Sequence, residues 1–355
     1  MSKMILVTGG AGFVGANLSV LLKSKYPEYR IVALDNLKRR GSELNLTRLK
    51  EIGVEFCHGD IRNKEDLESV GEIDFLIEAA AEPSIMAGFN NSPDYVVNTN
   101  LTGTINCLNY IRNFNAKIIF LSTSRIYPIA QIEKINYQEA ETRFLISREQ
   151  ELTGISELGI SEEFSLQGSR SLYGATKLAS EMMIEEFKAL YGLGAVINRC
   201  GVIAGPWQMG KVDQGVIALW LAKHYWKGKL SYLGYGGLGK QVRDAMHIAD
   251  VFDLIDYEIH NFDKVDGEVF NAGGGKENTV SLLELTNICQ EITGNTIEIG
   301  SVVETRFGDI RMYVTDNSKI IKHTCWKPKR SIQNIVSDTF TWIKENETEL
   351  KSILA

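Results

Sequence analysis

The sequence predicts an α/β fold in which a doubly wound parallel sheet precedes a smaller α+β portion. Three observations support this prediction. Short apolar runs alternate with amphipathic segments as far as about residue 200. A glycine-rich turn at residues 9–15 separates the first apolar run from the first amphipathic segment. Beyond residue 200, turns and shorter segments replace the regular alternation. We therefore expect one domain at residues 1–200 and a second portion at residues 201–355.

The start of the chain has the order of a dinucleotide-binding βαβ unit of the Rossmann type. A strand at residues 4–8 leads into the glycine turn, a helix follows at residues 16–22, and a second strand at residues 31–34 ends at Asp35. In such a unit the helix begins next to the bound pyrophosphate, where its N–H groups and positive dipole end stabilise the phosphates. This order predicts a dinucleotide site at the first turn.

Each residue of this turn has a role in the prediction. Gly9 makes the tight turn, Gly12 lets a pyrophosphate approach the backbone, and Gly15 lets the helix pack closely on the strand. Asp35, 20 residues after Gly15, accepts both hydroxyls of the adenosine ribose, which favours NAD over NADP. Because residues 38–40 are basic, NADP remains an alternative cofactor. A glycine turn joining any strand to any helix is the alternative, and the acid at the end of the second strand argues against it.

The alternation continues to about residue 200. Helices are predicted at residues 44–51, 64–70, 94–113 and 173–191, and strands at residues 54–57, 75–77, 117–121 and 194–199. Gly103, in the middle of the third of these helices, indicates close packing. Asp60 follows a strand, where such folds place the adenine ring, although a turn or helix-capping Asp is an equal interpretation. The small residues 79–81 leave space for a cofactor at a strand end.

The later part of the chain is less regular. Residues 128–168 show little periodicity and predict a long loop, of a kind that is usually functional and often a lid. Beyond residue 200 we expect turns at 205–208 and 234–240 and helices near 247–260, 281–292 and 331–346.

Composition excludes several classes of protein. The formal net charge is −7, whereas a nucleic-acid surface needs clustered Lys and Arg, so we expect no nucleic-acid partner. The glycine turn interrupts the first apolar run after five residues and no run of about 18 apolar residues follows, so we expect neither a signal peptide nor a membrane span. The five cysteines form no CxxC pair and no metal-ligand spacing with His, so we expect free thiols, a cytoplasmic location and no metal site.

The chemistry is predicted at Tyr173 and Lys177. They lie four apart near the start of a helix and so share one face. Ionising a phenol at neutral pH means lowering its pKa from about 10 to about 7, or about 4 kcal/mol, which a neighbouring ammonium and an oxidised nicotinamide ring can supply together. Thr123, at the end of the preceding strand, offers a hydroxyl that orients a substrate oxygen. Tyr225 and Lys229 repeat the spacing, but they span a glycine near a helix end and predict a surface turn.

Several motifs, taken in order, resemble one enzyme family. They are TGGAGFVG, HGDIRN, LSTSRIY, SLYGATK and GKQVRD, and together with Asp35 they support a resemblance that covers essentially the whole chain. The sequence resembles the extended short-chain dehydrogenases/reductases that act on nucleotide sugars. This resemblance implies that Thr123 is the catalytic hydroxyl, Tyr173 the base and Lys177 the anchor of the cofactor ribose.

The same resemblance implies the rest of the site. The expected NAD-binding residues are Gly9, Gly12, Phe13, Val14, Gly15, Asp35, Asn36, Asp60, Ile61, Ala79, Ala80 and Lys177. The expected substrate-binding residues are Ser124, Arg125, Gln214 in the turn at 213–215, Arg243 and Arg306. The last two are expected to grip the diphosphate, because planar guanidinium groups suit phosphate oxygens. Surface salt bridges are the alternative role for both arginines.

The reaction implied is epimerisation without net redox change. Tightly held NAD takes a hydride from a sugar carbon while Tyr173 takes the hydroxyl proton, and the hydride returns to the other face of the resulting ketone. Dehydratases of the family carry a Glu just after the Thr, whereas Ser124 and Arg125 follow Thr123 here, which disfavours dehydration. A 4-epimerase, a dehydrogenase/reductase and a non-catalytic NAD-binding protein remain alternatives.

Two further expectations concern substrate and assembly. Glu78 stands where many of these enzymes have His, and Pro128 and Val202 also differ from the residues that are usual at those positions. The sugar is therefore expected to differ from the one used by the enzymes that this sequence resembles. The helices at residues 94–113 and 173–191 are each apolar over more than one face, which predicts a homodimer through a four-helix bundle. The apolar surface beyond what one sheet needs belongs to Met182, Met183, Phe187 and Leu190. Burial beneath the loop at 128–168 is the alternative.

Overall fold

The computed structural model describes residues 2–210 and 214–355. Strands occupy β1 Met4–Thr8, β2 Arg30–Asp35, β3 Glu55–His58, β4 Phe75–Glu78, β5 Lys117–Thr123, β6 Tyr137–Glu139, β7 Phe144–Ile146, β8 Ile155–Ser156, β9 Gly159–Ile160, β10 Ala195–Cys200, β11 Val202–Ala204, β12 Leu230–Leu233, β13 Val242–His247, β14 Val269–Ala272, β15 Thr279–Ser281, β16 Ile299–Val302 and β17 Met312–Tyr313. Helices occupy α1 Phe13–Lys25, α2 Asn45–Ile52, α3 Lys64–Glu68, α4 Asp94–Val97, α5 Gly103–Arg112, α6 Ile129–Ile132, α7 Leu172–Tyr191, α8 Val216–Tyr225, α9 Ile248–His260, α10 Leu282–Thr293, α11 Ser318–Thr324, α12 Ile332–Glu345 and α13 Glu347–Leu354.

The main sheet confirms the predicted doubly wound parallel fold. Its strand order is β3-β2-β1-β4-β5-β10-β14, and the order of addition reverses between β1 and β4. Ligands of such sheets bind outside the carboxyl ends of the strands at this reversal. Strand β1, in the middle of the sheet, is buried on both faces, which explains why it reads as a continuous apolar run rather than an alternating one.

One face of this sheet carries a large cluster of buried apolar side chains. It joins Leu6, Leu76 and Phe120 of the strands to Leu108 of α5 and Ile184 of α7. Because successive strand residues point to opposite faces, Glu78 and Ser122 continue the same row toward the carboxyl edge. The polar ends of β4 and β5 therefore lie on the side covered by α5 and α7.

The chain divides into two units, each built from three segments. The first unit comprises residues 1–126, 171–199 and 252–270, and the second comprises 127–170, 200–251 and 271–355. The sequence predicted a single division at residue 200, so the segments 127–170 and 252–270 are assigned differently. Segment 252–270 leads from α9 into β14, which is a strand of the main sheet. Segment 127–170 contributes Ile160 to a bridge with Thr315 inside the second unit.

Residues 128–168 were predicted as a long loop, and that prediction is wrong. The segment contains α6 and two antiparallel hairpins, β6–β7 and β8–β9. The side chains of Phe144, Ile160 and Phe164 are buried. Strands of two or three residues are too short to show an alternating pattern, so the sequence carries no periodic signal for them.

Other differences are smaller. The helix predicted at 94–113 contains a π-helical turn, Asn98–Thr102, between α4 and α5. Gly103 was expected at a close contact, and this is confirmed, because an added Cβ would lie 2.5 Å from the Ile61 side chain. The sequence did not predict α8, whose nearly uninterrupted apolar run shows no helical period. No helix within the described ranges is both long and apolar enough to cross a membrane.

Candidate active site

The glycine turn adopts the backbone that the sequence predicted. Gly9 has a φ of +63°, and a Cβ there would lie 2.9 Å from the carbonyl oxygen of Ala79 and from the backbone of Ala80. A Cβ on Gly15 would overlap the Gly9 carbonyl group. The first turn and the end of β4 are therefore in direct backbone contact, which a side chain at Gly9 would break, whereas a side chain at Gly15 would push α1 away from the turn.

The start of α1 is available to an anion. Gly12 is the N-cap residue, and no side chain caps this end of the helix. Phe13 and Val14 form the first turn, which has no acidic residue. A 13-residue helix presents its first N–H groups and the positive end of its dipole here. This end of α1 fits a dinucleotide pyrophosphate.

Asp35 lies at the end of β2, beside the same turn. Its carboxylate accepts hydrogen bonds from the backbone N–H groups of Ala11 at 3.1 Å and Leu37 at 2.7 Å. Burial raises the pKa of Asp35, and these hydrogen bonds act against that rise. The acid is thus held against the glycine turn, as a ribose-binding residue of this fold requires.

A second acidic residue lies next to Asp35. Asn36 donates a hydrogen bond to Asp60 at 2.8 Å, and Arg62 pairs with the same carboxylate at 2.6 Å. Burial would raise the pKa of Asp60, but the hydrogen bonds from Arg62 and Asn36 outweigh it and lower the pKa to about 2. The neighbouring Ile61 is buried. Asp60 is therefore ionised and fixed in place.

Two neighbouring hydroxyls at the end of β5 have different surroundings. The Thr123 hydroxyl accepts a hydrogen bond from the N–H of Arg125 at 3.2 Å, where β5 passes into the short 3-10 turn Ser124–Ile126. The Ser122 hydroxyl donates a very short hydrogen bond to Glu181 of α7. Only Thr123 lies where the strand opens into the turn.

Helix α7 carries the proposed base and its partner. The Ser171 hydroxyl caps the helix by accepting from the Gly174 N–H at 3.2 Å, and Tyr173 lies in this first turn. Lys177 is only 1% exposed, and its Nζ lies 3.6 Å from the centroid of the Phe120 ring of β5. Because α7 packs on β5 and on the turn at 124–126, the residues Thr123, Tyr173 and Lys177 belong to one region of the first unit.

The structure adds residues that the sequence analysis did not select. Arg199 and Glu181 form a buried ion pair at 2.8 Å, behind the end of β5. Asn100 in the π-helical turn donates to Thr176 of α7 at 3.1 Å, and its carbonyl accepts from Ser180 at 2.7 Å. Glu181 is four residues after Lys177, so helical spacing was a usable signal for it. The π-helical turn leaves no such signal.

The predicted substrate-binding residues of the second unit differ in their hydrogen-bond partners. The Arg243 guanidinium pairs with Asp309 at 3.1 Å and donates to the Ile310 carbonyl at 2.7 Å. Arg306 belongs to the turn that ends at Asp309, and its buried Nε has no hydrogen-bond partner in the described part of the chain. Gln214 lies directly before the start of α8, and Asp213 is outside the described residues.

The tyrosine of the second Tyr-x-x-x-Lys pair makes a hydrogen bond between two helices. Tyr225 is the last residue of α8, and its hydroxyl donates to Glu347 of α13 at 3.0 Å. It belongs to the second unit, whereas Thr123, Tyr173 and Lys177 belong to the first. This agrees with the interpretation of Tyr225 and Lys229 as a turn at a helix end.

Fold and first-turn geometry define a dinucleotide-binding oxidoreductase-type domain, and comparison with known proteins specifies the family. Residues 5–273 match the model of the NAD dependent epimerase/dehydratase family. The chain belongs to this family, is an enzyme and uses NAD. The uncapped start of α1, the glycine turn and Asp35 fit that cofactor. When bound, NAD supplies a hydride acceptor and donor.

The chain is similar along nearly its whole length to several individual epimerases. The chain is 30% identical to CDP-paratose 2-epimerase of Salmonella typhi over 346 residues, which cover 95% of this chain and 98% of that protein. It is 27% identical to UDP-glucuronate 4-epimerase of Thermodesulfobacterium geofontis, with 98% of both chains covered. The crystal structure of UDP-glucose 4-epimerase with UDP-glucose from Thermotoga maritima superposes with a TM-score of 0.77 at 26% identity, covering 97% of this chain and 99% of that one.

Proposed function

We propose that this enzyme is an epimerase of a nucleotide-activated sugar and that its substrate is a CDP-sugar of the CDP-paratose type. The observation that carries the proposal is the 30% identity to CDP-paratose 2-epimerase over 95% of the chain. A second observation favours epimerisation over dehydration: Ser124 and Arg125 follow Thr123, so no carboxylate stands next to the proposed hydroxyl.

The proposed chemistry assigns one task to each of three side chains. Tyr173 removes the proton from the sugar hydroxyl and later returns it to the ketone oxygen. Lys177 supplies a positive charge that favours the phenolate form of Tyr173 and holds the cofactor ribose. Thr123 hydrogen-bonds the same sugar oxygen and orients it. NAD, when bound, would accept the hydride from the sugar carbon and return it to the other face of the keto-sugar, so no net redox change would result.

We propose five substrate-binding residues. Ser124 and Arg125 follow the proposed hydroxyl in sequence, and the other three are Gln214, Arg243 and Arg306. The buried Nε of Arg306 without a protein acceptor supports a role in binding a diphosphate oxygen. Arg243 already pairs with Asp309, so on this proposal the diphosphate joins or replaces that carboxylate as its partner.

The alternatives differ in the fate of the hydride. An epimerase retains the substrate hydrogen in its product and needs no external NAD, whereas a dehydrogenase consumes NAD in proportion to product. A nucleotide-sugar 4-epimerase acts on a different carbon by the same steps. A non-catalytic NAD(H)-binding protein would leave every sugar unchanged. NMR of the products distinguishes these cases. The purified enzyme is incubated with CDP-, UDP-, GDP- and dTDP-sugars, each deuterated at the ring carbons.

The test of the mechanism is Tyr173→Phe. Loss of the only proposed base should lower the turnover number by about a hundredfold or more, because general-base catalysis is typically worth that much. NAD should remain bound, since the ring that is kept fills the same volume. Tyr225→Phe is the matched control: it removes the hydroxyl of the other Tyr-x-x-x-Lys pair and should leave turnover unchanged. Near-normal turnover of Tyr173→Phe would refute the assigned role.

The proposal extends to assembly and location. Met182 and Leu190 of α7 are 60% and 69% exposed, whereas Phe187 between them is buried. Two large exposed apolar side chains, eight residues apart and so on one side of the helix, support a homodimer formed through α7. A cytoplasmic location is part of the same proposal and rests on the composition of the chain.

A further inference from the structure

Glu78 is a buried acid that the proposed chemistry does not use. It ends β4 and is fully buried. Its Oε1 lies 2.5 Å from the Thr104 hydroxyl of α5, while its Oε2 is buried with no hydrogen-bond partner among the described residues. An unsatisfied buried carboxyl oxygen is costly, so some nearby group must compensate for it.

Sheet register identifies that group. Glu78 of β4 lies directly beside Phe120 of β5 in the parallel ladder, and their side chains point to the same face. The Lys177 ammonium lies 3.6 Å from the centre of the Phe120 ring. Carboxyl group and ammonium are therefore neighbours across one aromatic ring, inside the layer between the sheet and α7.

The remaining neighbours are neutral. On its other side Glu78 lies beside Thr8 of β1, and α5 contributes the hydroxyl of Thr104. Cys107, also of α5, is the other titratable group there, and burial raises the pKa of its thiol well above the usual value, with Glu78 adding to the rise. Lys177 is thus the cation that faces Glu78 from the described residues of these elements.

We propose that Glu78 is a positioning residue whose carboxylate keeps Lys177 in its ammonium form beside Tyr173. A lysine that is 1% exposed loses its proton readily unless an anion compensates, and the Phe120 ring alone is a weak substitute. Burial raises the pKa of Glu78, while Lys177 and then Thr104 act against that rise. Lys177 and Thr104 are thus the two neighbours that favour the ionised form of Glu78. The inference rests on the roles proposed above for Tyr173 and Lys177.

The Thr104 hydroxyl allows both charge states of Glu78. It lies 2.5 Å from Glu78 Oε1 and 2.8 Å from the carbonyl oxygen of Asn100, and it has one proton to donate. When Glu78 is ionised, Thr104 donates to it. When Glu78 is protonated, the carboxyl can donate to Thr104, which then donates to Asn100. The site thus accommodates the proton that the Glu78–Lys177 pair gains or loses.

The experiment measures Tyr173 directly and needs no sugar substrate. Each NAD-bound variant is titrated with alkali, and tyrosinate formation is followed by ultraviolet absorbance. The same titration is recorded for that variant with Tyr173→Phe added. The difference between the two curves gives the ionisation midpoint of Tyr173. Glu78→Gln should raise this midpoint by up to about one pH unit, because Lys177 then loses its proton earlier. The phenolate loses the attraction of an ammonium four residues away on the same helix, and it is relieved only of the weaker repulsion of a carboxylate on the other side of the Phe120 ring. Glu78→Asp, which keeps the charge, should leave the midpoint within error of the parent protein.

A second background shows whether Glu78 acts through Lys177. In Lys177→Met protein, adding Glu78→Gln should produce no further rise. Glu258→Gln is the matched control, because it removes another fully buried carboxyl of the same unit that contacts Asn198 rather than a lysine, and it should not move the midpoint. An unchanged or lowered midpoint in Glu78→Gln, the same rise in Glu78→Asp, or an undiminished rise without Lys177 would each overturn the proposal. Loss of sugar turnover in a parent protein whose Tyr173 titrates as expected would instead contradict the proposed function alone.

Discussion

Glu258 of α9 shows how strongly the surroundings of one buried carboxyl group affect its protonation. Asn198 of β10 donates to both of its oxygens, at 2.9 and 3.0 Å. Burial raises the pKa of Glu258 from 4.5 to about 8, and the hydrogen bonds from Asn198 only partly offset that rise. At neutral pH this acid is therefore largely protonated, unlike Asp60, whose pKa the Arg62 pair lowers to about 2.

This difference predicts a pH-dependent gain in stability for Glu258→Gln. The folded pKa lies above the unfolded one, so the contribution of Glu258 to stability is fully present below about pH 4.5 and is lost as pH rises to about 8. The neutral amide has no such loss. Thermal unfolding should show the variant more stable than the parent by a few kcal/mol at about pH 9, with the difference shrinking toward acid pH. A difference that does not vary with pH would contradict the buried-acid interpretation.

Helix α7 organises the candidate site at the scale of an element. One side of it holds Lys177 against Phe120 and Glu181 against Arg199 and Ser122. These contacts fix the rotation of the helix about its axis, because residues four apart lie on one side. Its first turn, which carries Tyr173, depends on the Ser171 cap. The position of the proposed base therefore depends on a local hydrogen bond as well as on packing.

Ser171→Ala should loosen this first turn. Loss of an N-cap side chain costs about 1 kcal/mol of helix stability, so the amides of residues 172–175 should exchange several-fold faster with solvent deuterium. Ser331→Ala is the control, since it removes the capping box of α12 and should lower stability by a similar amount without changing exchange in α7. Equal protection of α7 in parent and Ser171→Ala protein would show that packing alone holds the turn.

The whole molecule presents apolar surface on α7 that its own core does not use. Phe187 is buried and Met183 packs against the core cluster, whereas Met182 and Leu190 point outward. Of the four apolar residues that the sequence analysis selected on this helix, only Met182 and Leu190 are therefore exposed. These two are the residues that a partner copy would cover.

Replacing both exposed residues with Glu should separate the proposed dimer. In Met182→Glu/Leu190→Glu protein, two like charges per copy would face each other in a desolvated interface, which is strongly unfavourable. Sedimentation velocity should show a dimer for the parent and a monomer for this variant. Leu238→Glu changes a residue of the second unit that is 51% exposed and should leave the dimer intact. A parent protein that sediments as a monomer would refute the assembly proposed.

Local sequence determined much of this protein. The glycine turn, the apolar runs of β1 and β2, and Asp35 predicted the first βαβ unit, because strand length, helix period and turn chemistry are properties of neighbouring residues. The same holds for α7 and for the Tyr173–Lys177 spacing, which follows from one helical turn.

Only the tertiary structure decided the rest. Glu78, Phe120 and Lys177 lie on three separate segments, and no spacing along the chain relates them until strand register and helix packing bring them together. The ion pair of Glu181 with Arg199 and the short hairpins of residues 137–160 depend in the same way on partners distant in sequence. Periodicity reports which face of an element is apolar, but the charge state of a buried group depends on what the fold places against it.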